Sequence, residues 1–392
     1  MARSNIRKDT LSRAWDNHLR AKRIEMGLPQ GELAKRVGLT RQALYAIESN
    51  HHLPSTEISL RLARILQCSV EDLFRDNEAG EFVEAEWVGS VPRTLMPIRA
   101  KVARVGKRLV ARPVSALGEW LNYTVPADGL VYPPSAGQQH HRRSKKVRIQ
   151  LLEDRNVLEK EIVVAGCDPS IFLAGSYFQR IHHEASVVSW TIGSVSAVEA
   201  LKRGEVHMAG LHLVDRRSGR SNVPYLKRHL PRGQFTVFQF VTWRQGLMVR
   251  QGNPKAISQI GDVGKPGVRW VNRERGSGAR RLLDDQLMHV GLLPETVKGY
   301  GREVSSHLDV ARHVFEGEAD TGIGVESAAQ LFGLDFFPLQ EERYDFVFPT
   351  SYLHTHPLLS QFLDTLTARS LRKELEALGG YETSGIGTVI HL

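Results

Sequence analysis

Three stretches of this 392-residue chain combine small, hydroxylic and cationic residues in a way that suits anion chemistry. In one, Gly276-Ser277-Gly278 is flanked by Arg273, Arg275 and Arg280. In another, Ser194 and Ser196 follow Ile192-Gly193 at the head of a helical run. In the third, Cys167, Asp168 and Ser170 surround Pro169 at a further helix start. A helix that begins after such a turn points unpaired N–H groups and a positive dipole end at whatever faces it. A tetrahedral dianion is then held by N–H and hydroxyl donors without full charge neutralisation. Asp168 departs from that logic: it repels an anion unless it pairs with an arginine or accepts a hydrogen bond from a ligand that carries donors. Asp320 is a further candidate near the same place, with a structural turn as an equal reading. Ser306 and His307 open another helix, where capping is the favoured role for Ser306.

Other chemistry is thin. The pairs His51-His52, His140-His141 and His182-His183 are sequence neighbours, which rarely point at one metal, and His354 with His356 is two ligands short of a site. Cys167 as a nucleophile needs a base that the sequence does not place. Cys68 and Cys167 are the only cysteines, far apart, which argues against a disulfide framework. No catalytic residue, metal or resident cofactor is expected.

A different constellation lies near the front. Arg41 and Gln42 begin a run whose Leu44 and Ile47 face inward, and Thr40 is placed to cap it. Gly38 ends the preceding run, which carries Leu33, Ala34 and Val37 on one face. Arg offers a two-point match to guanine and Gln to adenine in a DNA major groove. Tyr45 and Ala46 lie one turn later, in reach of a base methyl or a phosphate.

The string Gln-Gly-Glu-Leu-Ala-Lys-Arg-Val-Gly-Leu-Thr-Arg-Gln-Ala-Leu-Tyr-Ala-Ile-Glu-Ser-Asn, from Gln30, resembles the phage-repressor/Cro-type (XRE) helix-turn-helix family, and the likeness continues through Pro54 to Phe74. The resemblance implies that the helix from Arg41 enters the major groove, that Gln30 holds a phosphate, and that two heads bind two half-sites as a dimer. Pro29 stands where a hydroxyl cap is common, which removes one phosphate contact.

Residues 77–160 read as a small β-rich module, with strands near 97–105 and 108–113 joined at Gly106-Lys107 as a hairpin. Residues 135–146, rich in Lys, Arg and His, read as an exposed loop. From 161 to 392 strands and helices alternate, which predicts α/β lobes with mostly parallel sheets. Within it, residues 236–242 and 247–250 read as a strand pair where the chain crosses between lobes.

The strings around Cys167, Arg203–His212, Gln245-Gly-Leu, Arg273–Arg280, Ser306-His-Leu, Asp320-Thr-Gly-Ile-Gly and Glu341-Glu-Arg-Tyr-Asp resemble a two-lobed, type II periplasmic-binding-protein-like domain related to molybdate-binding proteins. Arg273-x-x-x-Ser277-Gly278 is also similar to the phosphate-binding turn of periplasmic phosphate receptors, although Ala279 replaces the usual hydroxyl residue. The resemblance implies an effector such as molybdate or tungstate. A pterin-type or other small organic ligand is the alternative, and an enzyme with a DNA-binding head the more distant one.

Charge agrees with this division. Of the net +9, the whole excess lies in the first 160 residues, and the remainder carries as many acids as bases. A basic front on a neutral body suits a DNA-binding head on a ligand-binding body. No apolar run approaches a membrane span or a signal peptide, so a cytoplasmic location without membrane partners is expected. The expected architecture is therefore multidomain: an all-α head (1–76), a β-rich module (77–160) and a two-lobed α/β body (161–392). It describes a ligand-responsive regulator of a double-stranded DNA operator.

Overall fold

A computed structural model describes residues 15–76, 81–89, 96–117, 124–132, 146–215 and 217–392. The loop expected at 135–146, with His140 and His141, lies outside these residues except for Lys146. The chain forms two compact units, 1–83 with 150–152 and 84–149 with 153–392.

In the first unit, three of the five helices among the described residues begin at a side-chain cap, Thr40, Ser55 or Ser69. Helices α1 (Leu19–Glu25), α2 (Gln30–Val37), α3 (Arg41–Glu48), α4 (Thr56–Ile65) and α5 (Val70–Leu73) follow a short strand β1 (Trp15–Asn17), which pairs with β2 (Phe74–Asp76). Thr40 and Ser55 each accept an N–H three residues on, at the starts of α3 and α4. Gly38 closes α2 with φ of 84°, a left-handed cap that favours glycine. Leu19, Leu33, Val37, Leu44, Ile47 and Leu62 fill the core between them.

The middle of the chain closes a five-stranded barrel from β3 (Phe82–Trp87), β4 (Ile98–Val105), β5 (Arg108–Pro113), β6 (Gly129–Val131) and β7 (Lys146–Leu151). The β4–β5 hairpin turns at Gly106, with φ of 61°. The barrel meets the body through buried polar groups. Lys101 pairs with Asp128 and Glu161, and the Arg112 guanidinium, stacked 4.4 Å from the Trp190 ring, donates to the Glu205 carbonyl.

The body is built on one eight-stranded mixed sheet, not on mostly parallel sheets. Its β8 (Glu161–Gly166) pairs in parallel with β9 (Ser186–Thr191) and β10 (Met208–Leu211), each joined by a helix: α6 (Ser170–Ile181) and α7 (Ser194–Lys202). The rest is antiparallel. Strand β11 (Phe235–Val249) and strand β15 (Asp335–Pro349) pair along their whole length. The expected strand pair at 236–250 is instead this single 15-residue strand. Gly246, which looks like a turn in sequence, sits where a Cβ would come 2.2 Å from the Phe337 carbonyl oxygen. Glycine there serves close strand packing and an irregularity in register rather than chain reversal. On β11 also pair β14 (Thr321–Val325), β16 (Tyr381–Glu382) and β17 (Val389–His391).

The second lobe adds β12 (Asn272–Arg273), parallel to β13 (Glu303–Val304), and helices α8 (Gly278–His289) and α9 (His307–Phe315). Among the described residues no helix is long and apolar enough to cross a membrane.

Candidate functional site

Two places in the molecule gather side chains with unspent chemistry. The first is the outer face of α3. Because Leu44 and Ile47 are turned into the core, Arg41, Gln42 and Tyr45 are left exposed, with Ala46 half-buried between them. Gln30 braces this face from α2. Its side-chain N–H donates to Glu48 (3.0 Å), and its oxygen accepts from Arg41 Nε (3.2 Å).

The second place is a buried polar nest at the ends of β8 and β10. Cys167 and His212 each sit just past a strand end, so their side chains meet although 45 residues separate them. Cys167 Sγ lies 3.2 Å from His212 Nε2, and His212 Nδ1 lies 2.5 Å from Glu342 Oε2. Glu342 accepts a hydrogen bond from Nδ1–H, so the nearby Gln245 amide donates to Glu342 rather than to the ring. Burial alone would lower the His212 imidazole; Cys167 and Glu342 outweigh it and raise it to about 10.

His307, the first residue of α9, brings its ring within 5.9 Å of the His212 ring and 5.5 Å of Trp243. It is fully buried, and neither ring nitrogen has a hydrogen-bond partner among the described residues. Burial, with Arg273 and His212 as neighbours, pushes this imidazole well down, so it is neutral. Asp168 accepts from the Ser170 N–H (2.9 Å) and the Tyr381 hydroxyl (2.7 Å). Burial raises its carboxyl despite those bonds.

Two helix starts abut at the same place. A Cβ on Gly193, ahead of α7, would lie 3.1 Å from Ser277 Cα, and one on Gly278 would lie 2.2 Å from His212 Cε1. A cavity of about 150 Å³ opens beside the nest, lined by His212, Asp215, Arg281, Asp285, Gln340 and Glu342.

Comparison with known proteins agrees with this division of labour. The helix-turn-helix family matches residues 19–73 and the PBP superfamily domain matches 175–367. An uncharacterized protein of Bacillus subtilis, YvgK, is 35% identical over 229 residues, covering 58% of this chain and 73% of its own. An uncharacterized HTH-type transcriptional regulator of Methanothermobacter thermautotrophicus is 44% identical over 63 residues, 16% of this chain and 91% of its own. The chain belongs to the family of DNA-binding helix-turn-helix regulators fused to a PBP superfamily domain. Among solved structures, an ABC-type phosphate transport receptor from Vibrio cholerae aligns over 57% of the regulator and 99% of itself, at 16% identity and a TM-score of 0.38.

The regulator distributes its expected ligand residues unevenly. Cys167, Asp168, Ser170, Ser194, Arg273, Ser277 and Gly278 are all buried at strand ends or helix starts. Ser194 Oγ accepts the His212 N–H (3.2 Å), and Ser277 Oγ caps α8 by accepting from Arg280 N. Arg273 pairs with Glu274 and donates to the Ser305 carbonyl. Gly276 shapes the turn before the cap, with φ of 90°.

Four others stand apart. Ser196 is exposed. Arg275 points to solvent, its side chain 87% exposed and 4.0 Å from Glu303. Arg280 is spent on Glu303, Asp284 and the face of Tyr300. Asp320 receives a two-point grip from Arg269, whose bonds hold its carboxyl below the ordinary range against the effect of burial.

Sequence reasoning did not single out His212, Gln245, Glu342 or Tyr344, whose hydroxyl oxygen accepts the Cys167 N–H at 3.2 Å, as site residues. All four lay inside strings noted only for their family likeness, and His307 was overshadowed by the cap at Ser306.

Proposed function

We propose that the regulator binds a small effector in the nest beside His212 and converts that binding into a change of DNA affinity. The observation that carries this reading is the meeting of two helix starts, at Ser194 and at Ser277-Gly278, with the buried Arg273 close by. Backbone N–H groups at such ends favour an anion, and a tetrahedral oxyanion such as molybdate or tungstate is small enough for the space of about 150 Å³ beside His212 and Gly278, where Arg281 adds positive charge. The regulator acts in the cytoplasm as a dimer, with Arg41 and Gln42 of each head on base edges and Gln30, Thr40, Tyr45 and Ala46 on backbone or methyl groups.

Calorimetric titration with molybdate, tungstate, sulfate and phosphate in parallel tests the effector. Micromolar binding of the first two alone supports the reading; silence from all four removes the oxyanion. In the head, Arg41→Ala is expected to relax base preference at one half-site position, by about 1–3 kcal/mol of discrimination. Unchanged specificity in a binding-site selection would remove Arg41 from base contact.

A second reading draws on Asp168 and Glu342, two buried carboxylates that a hydrogen-bond-donating organic ligand would satisfy and an anion would not. Cys167, His212 and Glu342 also stand in the order of nucleophile, base and orienting carboxylate. We read them as binding groups, because the thiol is sealed in; product formation from a candidate ligand would reverse that reading.

A further inference from the structure

The nest holds three donors of one chemical character. Cys167 Sγ and one ring nitrogen each from His212 and His307 lie within 4.8 Å of one another, and all three residues are buried. A tetrahedral ion with metal–sulfur bonds of about 2.3 Å and metal–nitrogen bonds of about 2.0 Å asks its ligand atoms to stand roughly 3.3–3.7 Å apart. Cys167 Sγ and His212 Nε2 are already at 3.2 Å, so only His307 has to draw in.

Both imidazoles are prepared for such a role. Glu342 holds a proton on His212 Nδ1 and leaves Nε2 turned to the thiol, so an ion entering there displaces the proton that Nε2 and Sγ share. This is the carboxylate–histidine–metal arrangement that fixes a ligand ring. His307 is fully buried with both ring nitrogens unbonded among the described residues, a state that costs stability unless a ligand takes one of them. Arg273, the guanidinium whose charge bears on the His307 ring, is itself paired with Glu274 and so adds little unbalanced positive charge.

We propose that Cys167, His212 and His307 form a binding site for a thiophilic transition-metal ion of the Zn²⁺ type, with Glu342 as the residue that positions His212. One sulfur and two imidazoles select this class over Mg²⁺ or Ca²⁺. Three protein ligands leave a fourth position open. The inference stands on these side chains and not on the oxyanion reading, although a bound cation would supply the charge an anion needs beside Asp168 and Glu342.

The test is a titration of reduced, metal-stripped, full-length protein with Co²⁺, followed by displacement with Zn²⁺. One equivalent is expected to give tetrahedral d–d bands and a thiolate-to-cobalt charge-transfer band. Cys167→Ser should abolish the latter and Cys68→Ser should leave it. His307→Gln should weaken Zn²⁺ at least tenfold, and Glu342→Gln about 10–100-fold, with circular dichroism melts and DNA binding checking that each variant folds. If the variants do not fold, the wild type still decides: the cobalt band must saturate at one equivalent, Zn²⁺ must displace it, and Zn²⁺ must raise Tm. No thiolate band, a band that survives Cys167→Ser, or a band that Zn²⁺ does not displace would overturn the site. Anion heats without a cobalt band would sink the metal site and spare the oxyanion; the reverse pattern would do the opposite.

Discussion

Two histidines flank the same short strand, β10, and meet opposite fates. His207, just before it, lies where the barrel joins the sheet. Its Nδ1 accepts the Val163 N–H at 3.0 Å and its Nε2 donates to the Arg104 carbonyl at 2.9 Å. Its neighbour His356, with ring centroids 4.6 Å away, likewise accepts the Leu358 N–H and donates to the Glu161 carbonyl. His212, just after the strand, and His307 beside it have only side-chain partners or none. A buried imidazole saturated by backbone is part of the scaffold, because its partners are present in every folded copy. One that faces a thiol, a carboxylate and an unbonded ring is arranged for something that arrives later.

The largest test of this contrast is His207→Leu, which strands a buried N–H and a buried carbonyl. It should destabilise the fold by ~2–5 kcal/mol, read as a drop in urea midpoint at constant m-value.

Next comes pH. Burial, then the neighbours His356 and Arg112, lower His207 to about 3 from an ordinary 6.5. Between these values the unfolded chain binds the proton and the folded one does not, so stability falls as pH drops through 6.5. The loss should reach ~2 kcal/mol at pH 5, and His356, lowered in the same direction, adds to it. A melting temperature flat between pH 7 and pH 5 would contradict the assignment of His207 as a neutral strut.

The smallest effect is expected at His307→Leu in metal-free buffer. An apolar side chain replaces a ring with no hydrogen bonds to lose, so stability should shift by under about 1 kcal/mol, in either direction. A loss as large as that of His207→Leu would erase the distinction between the two regions.

Legibility in the sequence followed the distance over which contacts are made. In the head, Thr40 bonds Ala43 at the start of α3 and Gly38 closes α2, so local end signals and apolar spacing marked the two helices that carry the candidate DNA contacts. At the nest, hydroxyls and glycines beside strand ends were visible as turns. Glu342 stood only in a string of family likeness, because its partner His212 is 130 residues away and nothing local on its strand marks it as a site residue. Arg275 and Arg280 show the converse. Their positive charge beside the glycines is plain in sequence, but Glu303, which engages both, comes from a distant strand that only the fold brings near. Strand β11 escaped for a related reason, since Gly246 has the look of a turn and its true constraint, the Phe337 carbonyl, belongs to another strand.

The bond between Tyr381 and Asp168 spans 213 residues, whereas the core of the head is complete by Phe74. Contacts so far apart in the chain form slowly, and domains at the front of a growing polypeptide fold first. On the ribosome the head is thus finished while the nest still lacks its last strap. For that interval each new molecule has its DNA-reading helix in place and no completed chamber behind it.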